Sequence, residues 1–126
     1  MIIGTGTDII ELSRIRESIE KYRGHFLDYV FTPQEQAAGE AKGENRIAFY
    51  GGRWAAKEAV AKALGTGFGS QCGWLDITVG NDAQGRPFVS LSGVAAHTAN
   101  ALGIRHWHLS ISHERNNAIA MAIAED

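Results

Sequence analysis

The chain has 126 residues, 44% of them apolar and 21% charged, with 12 Lys and Arg against 14 Asp and Glu for a formal net charge of −2. A chain of this length buries roughly two-thirds of its unfolded surface, so one domain over residues 1–126 is expected, and the slight negative charge excludes a general nucleic-acid binder. No apolar run reaches the roughly 18 to 20 residues of a membrane span, the lone Cys72 has no internal disulfide partner, and Asp8 and Glu11 interrupt the opening apolar segment, so a cytoplasmic protein is expected.

The opening IIGTGTDII mixes β-branched residues with glycine and reads as a strand ending near Asp8. Leu12, Ile15, Ile19, Tyr22 and Phe26 then follow helical spacing, which predicts one amphipathic helix over residues 12–26. Its polar rows carry Arg14, Ser18, Lys21 and His25, and Arg16, Glu20 and Arg23. Thr32-Pro33-Gln34-Glu35 is a capping box with Pro at the first helical position, so a second helix starts there. The Ala-, Lys- and Glu-rich stretch 46–64 predicts a long helix stopped by Gly65, with Gly51 and Gly52 permitting close packing or a kink. Leu75, Ile77 and Val79 alternate, NDAQGRP turns, and Phe88 to Leu91 returns, which makes a hairpin. Ser92 is placed to cap a helix over 94–102 ahead of Gly103. Two further antiparallel strands follow, one alternating at Trp107, Leu109 and Ile111, the other at Ile119, Met121 and Ile123 between alanines. The expected class is α+β, with helices packed against a mostly antiparallel β-sheet.

The strongest chemical signal is WAAKEAVAKALGTG at 54–67, where helical geometry puts Glu58 and Lys62 one turn apart and Gly65 a turn further on. Glu58 suits a hard cation such as Mg²⁺, Lys62 suits phosphate oxygens, and amides of the Gly65–Gly69 loop suit close approach to phosphate. The plain alternative is a solvated Glu58–Lys62 salt bridge worth a few tenths of a kcal/mol. Asp8 is either a cap for the following helix or, with Glu58, half of a minimal Mg²⁺ pair. His106, His108 and His113 can be drawn as a zinc site, but no fourth ligand or known spacing supports it. His113 in SISHE sits at a strand end, where it is either a turn histidine or a phosphate or proton-transfer group. GTGTDII lacks the third glycine of a dinucleotide fingerprint, and GTGFGSQCG lacks the Lys and Ser or Thr of a Walker loop. No nucleophile elbow supports a serine triad.

GTDIIELSRI at 5–14, FTPQE at 31–35, GRWAAKEAVAKALGTG at 52–67, the GRP turn at 85–87 and the strand pair around SISHE resemble, in order and along the whole chain, the holo-[acyl-carrier-protein] synthase family of small bacterial 4′-phosphopantetheinyl transferases. The resemblance implies that the 4′-phosphopantetheine arm of coenzyme A moves to a serine of apo acyl carrier protein, releasing adenosine 3′,5′-bisphosphate, in fatty acid biosynthesis. It implies Mg²⁺ on Asp8 and Glu58, with Lys62 on the same phosphates. Arg53, Gly65, Thr66 and Gly67 become further coenzyme contacts, Gly85, Arg86 and Pro87 a turn near the adenosine, and His113 a coenzyme or catalytic residue. The base that takes the serine proton stays open among Glu58, a metal-bound water and His113. The resemblance also implies a homotrimer with sites between protomers, and an acidic carrier-protein helix docking on Arg14, Arg16, Lys21 and Arg23. Two other readings use the same residues: a Mg²⁺-dependent nucleotide diphosphate hydrolase, and a non-catalytic trimeric module in which Glu58 and Lys62 only pair.

Overall fold

A computed structural model describes all 126 residues. The β-branched opening becomes β1 (Ile2–Glu11), which runs past Asp8 because its partner strand keeps pairing to Glu11↔Asn117. The Leu12 N–H then donates to the Asn116 carbonyl at 2.8 Å, and α1 (Leu12–Tyr22) buries Leu12, Ile15 and Ile19. The expected single helix over 12–26 is broken: Arg23 adopts φ 51°, the one positive φ outside glycine, and α2 (Gly24–Val30) starts on a new axis. Past the break, Phe26, Leu27 and Val30 still pack against the core.

The capping box forms as expected at the start of α3 (Pro33–Glu40), with Glu35 N–H on Thr32 Oγ1 and Thr32 N–H on Glu35 Oε1. α4 (Arg46–Leu64) is unbroken and ends at Gly65 in the left-handed conformation, φ 79°. It lies on a three-stranded antiparallel sheet of order β1-β5-β4, built with β4 (His106–His113) and β5 (Asn117–Glu125). Small residues let helix and sheet approach closely. A methyl on Gly4 or Gly6 would overlap the carbonyl oxygens of Ala63 and Ala59, and Gly51 and Gly52 admit Leu12 and Ile111. The alanines of β5 therefore face α4 and are buried, while the larger Ile119 and Met121 turn outward at 46% and 45% exposure beside Ile9 at 65%. An apolar sheet face is left uncovered.

β2 (Ile77–Asn81) and β3 (Pro87–Leu91) form the expected hairpin as a separate two-stranded sheet. Leu75 is not part of it and sits in a 3-10 turn, Trp74–Asp76. α5 (Gly93–Ala101) begins after Ser92, whose side chain makes no capping bond. Asp76 replaces it, its Oδ2 accepting from the N–H groups of Ala95 at 3.2 Å and Gly73 at 3.0 Å. The class is α+β as expected, with its strands all antiparallel but divided between two sheets.

Candidate active site

α4 lies over the sheet and divides its inner face into two flanks. On the β1 flank, Asp8 shares the inward face with Gly4, Gly6 and Ile10, and Glu58 and Lys62 reach it from the helix. Asp8 lies inside the strand, so it is no helix cap. Lys62 Nζ donates to the Thr7 carbonyl at 2.9 Å and lies 3.5 Å from Asp8 Oδ1, so its carboxylate partner is Asp8 and not the expected Glu58. Burial raises the Asp8 carboxyl above its ordinary range, against the pull of Lys62. Burial and then the Asp8 charge raise Glu58, again partly offset by Lys62. Two half-buried carboxylates, both raised by burial and Glu58 further by the Asp8 charge, with Lys62 pulling on each, form a place where added positive charge is stabilised. No third His, Cys, Asp or Glu joins them. A cation held there takes its remaining ligands from water and substrate, which suits Mg²⁺.

The loop after α4 corrects one expectation. The amides of Gly65, Thr66 and Gly67 are not free for phosphate, because they donate to the carbonyls of Lys62 at 2.9 Å and Ala61 at 3.3 and 3.2 Å, and Gly69 donates to Cys72 at 3.0 Å. The Thr66 hydroxyl is turned onto the Gly67 carbonyl at 2.8 Å. These residues form a close wall beside Lys62 instead of a cradle of donors.

On the other flank, Arg53, Gly85 and His113 come together around a cleft of about 610 Å³, with Lys42, Asn45 and Phe49. Arg53 is 7% exposed. Its Nη2 donates to Asn81 Oδ1, its guanidinium lies 4.2 Å from the Phe49 ring centroid, and its buried Nε has no partner. Desolvation lowers its affinity for the proton, so the site offers a charge that is poorly compensated within the chain. Gly85 holds the hairpin turn at φ 85°, its carbonyl accepting from Asn81 Nδ2 at 2.9 Å. Arg86 is exposed and Pro87 opens β3, and neither lines the cleft.

The chain therefore keeps the two groups of residues apart. Arg53 and Glu58 are five positions apart on α4, about 140° round the helix. Asp8 and His113 sit on the two edge strands, which lie about 10 Å apart across β5, and they are offset along it, facing Ala120 and Ala118. The zinc reading fails on facing: His108 turns to the outer face, where Nε2 meets Glu125 Oε1 at 3.1 Å, while the alternation of β4 sends His113 inward. Arg14, Arg16, Lys21 and Arg23 are all exposed, and none is in an ion pair. Sequence reasoning missed Lys42 and Asn45, which precede α4 in an undistinguished KGEN turn, and it read Glu35 only as a cap. Glu35 is also the partner of the fully buried Lys57, which carried no signal beyond helical spacing.

Residues 4–124 match the model of the 4′-phosphopantetheinyl transferase superfamily. A holo-[acyl-carrier-protein] synthase of Clostridium novyi is 50% identical over 125 residues, covering 99% of this chain and 88% of that relative. The crystal structure of holo-[acyl-carrier-protein] synthase from Neisseria meningitidis superposes with a TM-score of 0.93 at 34% identity, each chain covered completely. A holo-(acyl-carrier-protein) synthase from Bacillus anthracis, in complex with CoA (3′,5′-ADP), superposes with a TM-score of 0.82 at 38% identity over 98% of this chain and 96% of that one. The matches span the full length and agree in sequence and fold, so the chain belongs to the 4′-phosphopantetheinyl transferase superfamily.

Proposed function

We propose that this chain transfers 4′-phosphopantetheine from coenzyme A to a serine hydroxyl of apo acyl carrier protein, releasing adenosine 3′,5′-bisphosphate. The observation that carries the reading is the Asp8, Glu58 and Lys62 constellation, in a chain whose relatives are named for this reaction. The serine Oγ attacks the phosphorus of the pantetheine phosphate, and the bond from that phosphorus to the bridging oxygen breaks. Lys62, held by the Thr7 carbonyl and Asp8, brings positive charge to the diphosphate. Asp8 and Glu58 would hold Mg²⁺, which when bound would neutralise charge developing on the leaving phosphate. Glu58, with its raised carboxyl, and His113 are the candidate acceptors of the serine proton.

Arg53, Gly65, Thr66, Gly67, Gly85, Arg86, Pro87 and His113 contact the coenzyme. Because one chain places these residues on both flanks of α4, the complete site is formed between protomers of a homotrimer. The uncovered apolar face at Ile9, Ile119 and Met121 is the surface that supports association. The exposed cations Arg14, Arg16, Lys21 and Arg23 dock the carrier protein, whose acidic helix makes the encounter salt-dependent. Chromatography of the nucleotide product tests the reaction. Adenosine 3′,5′-bisphosphate is expected in one-to-one ratio with consumed apo carrier protein and is expected to be absent when the acceptor serine is replaced by alanine. Equal release without an acceptor serine would move the reading to a diphosphate hydrolase.

A further inference from the structure

Four backbone groups from separate segments converge on two side chains that the transfer chemistry does not use. Glu35 and Lys57 are fully buried, with Lys57 Nζ 2.7 Å from Glu35 Oε1. Lys57 donates its other protons to the carbonyls of Val30 at 2.7 Å and Trp74 at 3.0 Å. Glu35 accepts from the N–H groups of Thr32 and Val79, each at 2.8 Å. Every ammonium proton is thus committed, and both carboxylate oxygens are occupied. A buried ion pair is weak evidence of stabilisation, because desolvation offsets much of the attraction. What the pair holds is more informative.

Val30, Thr32 and Val79 belong to α2, the cap of α3 and β2, which have their own packing. The segment from Gly65 to Gly73, just ahead of the 3-10 turn at Trp74, contains no helix or strand of its own, only an isolated bridge between Gly69 and Cys72. Its first residues are closed onto α4 by the amides of Gly65, Thr66 and Gly67. Its far end is tied by Lys57 through the Trp74 carbonyl. The Trp74 ring lies flat on Phe68, with centroids 3.7 Å apart and planes 9° from parallel, and Phe68 follows Gly67 directly. Lys57 also leaves the helix one residue before Glu58, so the tie and the carboxylate start from the same turn.

We propose that Lys57, held by Glu35, is a positioning residue that fixes the Gly65–Gly69 loop against α4 and thereby sets the fit of the coenzyme A diphosphate beside Lys62. The proposal rests on the transfer reading above. Coenzyme A affinity is measured by calorimetry, and KM for each substrate by steady-state kinetics, on the parent and three variants: Glu35→Leu/Lys57→Met, Glu35→Gln/Lys57→Gln, and Phe68→Ala. For the apolar pair and for Phe68→Ala, Kd and KM for coenzyme A are expected to rise about tenfold while KM for carrier protein stays within about twofold. The glutamine pair keeps an amide donor for Trp74 and is expected to fall between these and the parent. If the apolar pair does not fold, Phe68→Ala carries the same expectation, because its side chain is only partly buried. Folded variants with parental coenzyme A affinity, or with equal rises in both KM values, would overturn the positioning role. A parent that binds no coenzyme A would overturn the transfer reading, and the positioning role with it.

Discussion

Gly6→Ala tests whether the spacing between β1 and α4 sets the chemistry. Gly6 precedes Asp8 by two residues on the same inward face, and the Ala59 carbonyl that it faces follows Glu58 on the helix. A Cβ at Gly6 would fall well inside 3.0 Å of that oxygen. The Ala59 oxygen is backbone and a Cβ has no torsion of its own, so neither can rotate away, and strand and helix have to separate by on the order of 1 Å. Overpacking against rigid backbone falls in the upper part of the usual range, about 2 to 3 kcal/mol, and the reduced freedom of the unfolded chain offsets roughly 0.4 to 1 kcal/mol of it. The expected result is a fall in Tm of roughly 5 to 10 °C, followed by circular dichroism. Because Asp8 and Glu58 sit on the two surfaces forced apart, kcat/KM is also expected to fall about 100-fold below Tm, as misplacement by an ångström does. Gly24→Ala, with open space around it, is the control and should melt no lower than the parent and turn over like it. A Gly6→Ala protein that melts lower yet keeps activity within twofold would refute the link between this packing and the site. An unchanged Tm would refute the close approach itself.

Three further outcomes are expected. Arg14→Glu should raise KM for carrier protein at least about tenfold, with KM for coenzyme A within twofold, and the effect should shrink as salt is raised. Glu58→Ala and His113→Ala should each be inactive alone, but subunits unfolded and reassembled together should recover about a quarter of parental activity, the share of intact composite sites in a one-to-one mixture; no recovery would place each site within one protomer. Cys72 is fully buried, and burial together with the nearby Asp76 charge pushes its thiol up to about 11. Alkylation of the folded protein at pH 8 should therefore be far slower than of the denatured chain. Since the folded value lies above the ordinary 9.0, the stability this thiol contributes is present below pH 9 and lost as pH rises toward 11. Denaturant titrations of Cys72→Ala across that window should lack this component.

Much of the fold was legible because local signals and tertiary packing agreed. The capping box at Thr32–Glu35 and the stop at Gly65 are short-range chemistry, and both formed where the residues placed them. Arg23 shows the opposite case: the apolar stripe continues through Phe26, but no spacing rule reveals that the chain turns at a positive φ. The cap of α5 was misassigned for a similar reason, since Asp76 comes from a segment 19 positions before Ala95 and outcompetes the adjacent Ser92. For β5, alternation located the strand but not its facing. The inward side is the alanine side because α4 approaches too closely for isoleucine. At the site, Glu58 and Lys62 were legible from helical spacing, while the pairing of Lys62 with Asp8 required the β1–α4 contact. The buried Glu35–Lys57 pair joins residues 22 positions apart with no local pattern to mark it.

The most direct measurement is the intact mass of apo acyl carrier protein after incubation with this protein, coenzyme A and Mg²⁺. A gain of about 340 Da, one phosphopantetheine arm on one serine hydroxyl, is expected, and it should vanish with EDTA and with Glu58→Ala. A carrier protein of unchanged mass, under conditions where the protein is folded and coenzyme A is bound, would contradict the transfer.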